Sequence, residues 1–133
     1  MSLGPLLQAS LQTQIHAFAA MAAFALGIVQ FAAPKGTLPH RTLGWIWVVL
    51  MLVVCASSLF LHGLRMWGQW SPIHLLSIAT PVGLVAAVWA ARRHNVSTHR
   101  LAMIMIFGGA LVVAGLFTLV PGRLMHDVVF AAP

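Results

Sequence analysis

Four long apolar runs, separated by short polar breaks, make up most of the chain. They cover residues 12–33, 43–61, 73–91 and 101–120. Each run has close to the ~20 residues that a helix needs to cross the hydrocarbon core of a bilayer. A continuous apolar run of this length indicates a helix, because only helices and closed barrels satisfy the backbone in lipid. The pattern therefore predicts an all-α membrane protein, with four transmembrane helices in a single domain covering residues 1–133.

The breaks between the runs are short and rich in residues that stop helices. Pro34, Gly36 and Pro39 interrupt the chain after the first run. Before the third run, Ser71 followed by Pro72 is typical of an N-cap and a first helical residue. Short connections place consecutive helices side by side and antiparallel, which predicts an up-down-up-down bundle.

Lysine and arginine are distributed unequally between the two sides of such a bundle. The first and third breaks carry five of them: Lys35, Arg41, Arg92, Arg93 and Arg100. The second break and the C-terminal segment carry two, Arg65 and Arg123. Because short cytoplasmic loops hold the excess of positive charge, this distribution predicts that both termini lie on the non-cytoplasmic side.

Tryptophans and small residues predict how the helices sit and pack. Three tryptophans fall near the predicted cytoplasmic interface, as in an aromatic belt: Trp45, Trp47 and Trp89. Small residues let membrane helices approach closely, and they recur along two of the runs. They are Ala19, Ala23 and Gly27 in the first run, and Gly108, Gly109 and Gly115 in the fourth.

The composition excludes several classes of protein. The chain is 61% hydrophobic and 6% charged, against about 25% charged residues in soluble domains, which excludes a soluble globular enzyme. The formal net charge of +6 comes from single cations scattered between apolar runs, so nucleic acid is not an expected partner. With Asp127 as the one acidic residue, paired carboxylates and a Ser-His-acid triad are excluded, and no catalytic residue is assigned.

Six of the seven histidines stand near the ends of the predicted helices, in an order that repeats. His16, the pair His40-Arg41, and His62 form one set, and His74, the pair His99-Arg100, and His126 form the second. The corresponding histidines are 58, 59 and 64 residues apart. This spacing predicts two repeated helical hairpins related by an axis along the membrane normal. The serines and threonines inside the runs usually bond back to their own helix. Gln30 does not, which makes it a candidate functional residue.

Neutral imidazole is an axial ligand of haem iron, and a haem between helices needs two histidines on facing helices. Facing helices in this bundle are the first with the third and the second with the fourth. The predicted ligand pairs are His16 with His74, His40 with His99, and His62 with His126. We expect one or two b-type haems. The cations expected to bind the haem propionates are Arg41, Arg100, Arg123 and Arg65.

The same histidine pattern is compatible with other functions. His16, His62, His74 and His126 share the predicted non-cytoplasmic end, and copper and zinc both accept imidazole ligands. A metal-binding membrane protein is therefore one alternative. A non-catalytic accessory subunit of a larger membrane complex, or a homo-oligomer, is another. If haem is bound, a quinone is the expected redox partner, and the protein is a candidate oxidoreductase.

Several motifs resemble a known family over nearly the whole chain. They are His16, Pro34-Lys35-Gly36-Thr37, His40-Arg41-Thr42-Leu43-Gly44-Trp45, Ser57-Ser58 with His62, Ser71-Pro72-Ile73-His74, Asn95-Val96 with His99-Arg100 and Met103, and Pro121-Gly122-Arg123 with His126. The chain resembles the predicted membrane protein family called domain of unknown function 2306. This resemblance implies a small bacterial inner-membrane protein, with the lipid bilayer around it. In architecture alone, the predicted bundle also resembles the four-helix membrane cytochromes b, which bind haem through histidine pairs and exchange electrons with quinones.

Overall fold

The structure, a computed structural model, describes residues 1–61, 68 and 71–130, and that part of the chain contains helices and no strands. The helices are α1 (Gly4–Leu7), α2 (Leu11–Ala32), α3 (Leu38–Ser58), α4 (Pro72–Arg92), α5 (Val96–Ile106), α6 (Ala114–Thr118) and α7 (Leu124–Phe130). A π-helical segment, Phe107–Val113, joins α5 to α6.

Four helical stretches are long and apolar enough to cross a membrane: α2, α3, α4 and the continuous rod Val96–Thr118. This confirms the four predicted spans. Two of them begin five residues earlier than the apolar runs, because polar side chains cap them. Thr37 accepts a hydrogen bond from the His40 backbone N–H at 3.3 Å, and Asn95 accepts one from the Thr98 N–H at 3.1 Å.

The four spans form a closed ring in chain order. Helix α2 packs on α3, α3 on α4, α4 on α5, and the π-helical segment returns to α2. Consequently α2 lies diagonally across from α4, and α3 across from α5. We call the end that carries α1 and α7 the termini end. The opposite end, with the short connections 33–37 and 93–95, is the short-loop end.

The centre of the bundle is apolar. Its buried residues come from all four spans: Ala23, Trp47, Met51, Leu84, Ile106 and Leu111. The Trp47 indole N–H donates to the Ala23 carbonyl at 2.9 Å, and the ring is only 4% exposed. The prediction that Trp47 belongs to an interfacial belt is therefore wrong. It lies one turn from Met51 on the inward face of α3, and Ala23 leaves room for its ring.

The small residues of the first span let the helices approach closely, as predicted. A methyl group added at Gly27 would lie within 2.7 Å of two carbons of the Phe107 ring, so only glycine fits there. The expectation for the fourth span is wrong, since a methyl group at Gly108, Gly109 or Gly115 would meet nothing within 4 Å. Gly108 and Gly109 lie in the π-helical segment, and Gly115 lies in α6 directly after it.

The two ends of the chain meet at the termini end. Leu6 of α1, Ala17 of α2 and Val128 of α7 form a small buried cluster. The Ser2 backbone N–H donates to the Val128 carbonyl at 3.0 Å. The first and last helices of the chain therefore pack together at this end of the bundle.

Candidate histidine sites at the two ends of the bundle

At the short-loop end, the structure brings together His40 and His99, one of the predicted pairs. His40 lies in the first turn of α3 and His99 in the first turn of α5, on diagonally opposed spans. The two partly buried imidazoles are close enough to interact electrostatically. Both helix starts are fixed by the caps at Thr37 and Asn95, so local sequence sets the depth at which each imidazole enters the bundle.

The protonation pattern of His99 is set by a backbone carbonyl. Its Nδ1 lies 2.9 Å from the Ala87 carbonyl oxygen, which can only accept, so Nδ1 carries the proton and donates it. In the neutral ring, Nε2 then keeps a free lone pair. Histidines that bind metals show this arrangement, in which the nitrogen away from the metal donates to a carbonyl or carboxylate.

Gln30 of α2 completes the short-loop site. Its side-chain N–H donates to the His40 carbonyl at 2.9 Å. Within the described residues, the buried side-chain atoms without a hydrogen-bond partner are Gln30 Oε1 and His40 Nδ1. A buried polar atom without a partner is uncommon in folded proteins, and a bound molecule or ion is one explanation for it.

Positive charge surrounds this end of the bundle. Arg41 and Arg100, predicted to bind propionates, are exposed next to His40 and His99 in sequence. The Lys35 ammonium caps α2 by donating to the Phe31 and Ala33 carbonyls, both at 2.6 Å. An anionic group at the membrane surface would therefore be stabilised here.

At the termini end, His16 is joined to α3. Its Nδ1 lies 3.1 Å from both the Val54 carbonyl and the Ser57 hydroxyl oxygen. Ser57 itself also contacts the Val53 carbonyl at 2.7 Å, as expected for a serine that bonds back to its helix. The His16 imidazole therefore holds α2 against α3.

His74, the predicted partner of His16, is part of a helix cap. Ser71 is the N-cap and Pro72 the first residue of α4, as predicted. The Ser71 backbone N–H donates to His74 Nδ1 at 3.2 Å, and the Ser71 hydroxyl lies 3.0 Å from the same nitrogen. Because Nδ1 accepts, the neutral ring carries its proton on Nε2, and that nitrogen has no lone pair for a metal.

Of the third predicted pair, His62 with His126, the structure describes only His126. The His126 Nδ1 donates to the Leu119 carbonyl at 2.8 Å, and its ring lies 4.9 Å from that of Phe130. Arg123 is partly buried one turn before it. His62 and Arg65 lie outside the described residues. In the part of the chain that is described, no three His, Cys or acidic side chains converge on a common metal position.

Hydroxyl groups between α3 and α4 form a network that the sequence did not predict. Ser58 and Ser77 are buried and share a short hydrogen bond between their hydroxyls. The Ser58 hydroxyl also lies 2.7 Å from the Cys55 carbonyl oxygen, and the Ser77 hydroxyl lies 2.6 Å from the Ile73 carbonyl oxygen. Because each hydroxyl has one proton, one serine donates to the other, and the second donates to a carbonyl of its own helix. Bonding of each serine to its own helix was expected. The contact between helices was missed, because sequence does not show which way a serine in an apolar helix faces.

These features define the protein as a four-span membrane protein with polar clusters at both ends of an apolar core. The sequence profile of one family, "Predicted membrane protein (DUF2306)", matches residues 13–131. The chain belongs to this family, which confirms the resemblance seen in its motifs. No curated protein and no solved structure matches the chain.

Proposed function

We propose that this protein is a membrane-bound b-type cytochrome that holds a haem between His40 and His99 at the short-loop end. The observation that carries the proposal is a buried pair of polar atoms without partners, Gln30 Oε1 and His40 Nδ1, at the end where His40 and His99 of diagonal spans lie close enough to interact electrostatically. Bis-histidine ligation in helical membrane bundles has this donor set. The bound haem would supply one-electron transfer.

The chemistry of the donors fits such a group. His99 presents an Nε2 lone pair because its Nδ1–H is held by the Ala87 carbonyl. The exposed guanidinium groups of Arg41 and Arg100 follow the two histidines directly and are suited to bind propionates at the membrane surface. The chain therefore offers ligands, a proton acceptor behind one of them, and counter-charges at one end.

We also propose a membrane, an orientation and a redox partner for the protein. The excess of Lys and Arg in the two short loops supports a cytoplasmic location for the short-loop end, in a bacterial inner membrane. A quinone dissolved in the bilayer is the proposed redox partner, because it reaches a buried haem without leaving the apolar phase.

An absorption spectrum of the detergent-purified protein, expressed with haem supplied, tests the proposal. We expect a Soret band that shifts on reduction with dithionite and sharp α and β bands. His40→Ala and His99→Ala should each abolish these bands. His94→Asn is the matched control, because His94 lies in an exposed turn at φ 57°, a conformation that asparagine tolerates.

A flat visible spectrum of the wild-type protein would refute the cytochrome proposal, as would a wild-type spectrum in both His40→Ala and His99→Ala. Elemental analysis of the same sample then tests the metal alternative. Copper or zinc that is lost in His16→Ala or His126→Ala would place the metal at the termini end.

A further inference from the structure

We propose that Gln30 is the positioning residue for His40: one bridging water links the Nδ1–H of His40 to the Gln30 side-chain oxygen, which leaves the Nε2 lone pair for a ligand. This inference deepens the proposed function and rests on it for the identity of the ligand. The state of the His40 ring, however, can be measured without any haem.

The first support is the chemical match between the two unpartnered atoms. Gln30 Oε1 can only accept, whereas His40 Nδ1 can carry a proton. Both atoms are buried, and neither has a partner within the described residues. Leaving either atom unpaired is costly. A proton on Nδ1 and one bridging water satisfy both atoms at once.

The second support is that the two residues are already joined. The Gln30 amide N–H donates to the backbone carbonyl of His40 itself, at 2.9 Å. The carboxamide is therefore fixed at the residue whose ring it would orient. A water between Oε1 and Nδ1 would have the two polar partners that a buried water needs.

The third support is the glycine one turn further along α3. A methyl group at Gly44 would lie 3.2 Å from Gln30 Nε2, closer than most side-chain contacts. Because residues four apart lie on the same helix face, Gly44 leaves the space beside His40 in which the carboxamide sits. Gly44→Ala is thus expected to displace Gln30 slightly and to act in the same direction as its removal.

In the resulting arrangement, each of the two proposed ligands, His40 and His99, has an acceptor for its Nδ1 proton. The Ala87 carbonyl accepts the Nδ1 proton of His99, and the Gln30 carboxamide, through one water, would play the same part for His40. Acceptors that bind the far nitrogen of a ligating histidine orient its ring and raise its basicity, and their loss typically weakens metal binding about 10–100-fold. Gln30 would therefore set affinity and redox potential without contacting the haem iron.

The test uses ¹⁵N NMR of histidine-labelled, haem-free protein in detergent, with His40 assigned through His40→Ala. In the wild type we expect the Nδ1–H tautomer at His40. In Gln30→Met the Nδ1 and Nε2 resonances should shift towards a tautomer mixture. Gln12→Met, the same change at an exposed position of α2, should leave them unchanged. An Nε2–H tautomer in the wild type, or identical spectra in Gln30→Met, would overturn the inference.

The haem-loaded protein supplies a second readout. We expect haem affinity to fall about 10–100-fold in Gln30→Met, and the midpoint potential to fall in Gln30→Glu, where a carboxylate draws the His40 proton more strongly. Potentials equal to the wild type in both variants would also count against the role of Gln30. Absence of haem from the wild type would refute the proposed function, while the tautomer measurement would still decide the position of the His40 proton.

Discussion

The two ends of the bundle carry similar residues but use them differently. At the termini end, His16 and Ser57 join α2 to α3, Ser58 and Ser77 join α3 to α4, and His74 closes a helix cap with Ser71. At the short-loop end, His40 and His99 lie close enough to interact electrostatically. There lie both of the buried polar side-chain atoms that lack a partner in the described residues.

The polar groups at one end stabilise the fold, whereas those at the other end are available to a ligand. A buried polar network whose members satisfy one another rigidifies the fold, and nothing further needs to bind there. An unsatisfied pair in the same interior is costly unless a ligand or water completes it. Substitutions at the termini end should therefore reduce stability, and substitutions at the short-loop end should reduce ligand binding.

The largest effect on stability is expected for Ser58→Leu. Ser58 is 2% exposed, so the larger side chain overpacks the α3–α4 contact and also removes the hydrogen bond to Ser77. We expect the free energy of unfolding to fall by about 2–3 kcal/mol. Thermal unfolding in detergent measures this change. Ser97→Leu, at an exposed position of α5, is the control, and haem content per folded chain should stay at the wild-type value.

A smaller loss of stability is expected for His16→Ala. This change removes the hydrogen bonds from α2 to the Val54 carbonyl and the Ser57 hydroxyl. The expected cost is about 1–2 kcal/mol, with haem per chain unchanged. If haem per chain instead drops from two to one, the termini end holds a haem of its own, and the contrast between the ends disappears.

The smallest effect on stability is expected for Gln30→Met, where the haem-free protein should stay within about 1 kcal/mol of the wild type. Gln30→Met removes a polar oxygen that is costly to bury, but it also removes the proposed acceptor for His40 Nδ1, and the two contributions oppose each other. Chemical unfolding of the haem-free protein measures the change. A loss of 2 kcal/mol or more, as estimated for Ser58→Leu, would make Gln30 a structural residue.

Much of the architecture could be predicted from the sequence. Hydropathy over a window of about 20 residues depends on composition alone, so it located four spans whatever their neighbours are. Capping residues act within one turn, and Ser71 with Pro72 predicted the start of α4 correctly. The placement of histidines near helix ends followed from the same two signals, and His40 and His99 lie close enough at the short-loop end to interact electrostatically.

The tertiary structure alone decided which side chains face each other. These spans are apolar on all sides, so no hydrophobic stripe shows how each helix is rotated about its axis. For this reason Trp47 was predicted at an interface and lies in the core, and the Ser58–Ser77 contact was missed. The π-helical segment Phe107–Val113 shifts the register along the fourth span in a way that no simple periodicity reveals.

The sequence by itself thus determined the class of the protein, the number of its spans and the ends at which its polar residues lie, because these depend on local composition. Only the packing of helices decided that His16 of α2 bonds to Ser57 of α3, and that Gln30 Oε1 and His40 Nδ1 have no direct partner. Hydrogen bonding between helices depends on rotation and register. Those are properties of the assembled bundle rather than of any one span.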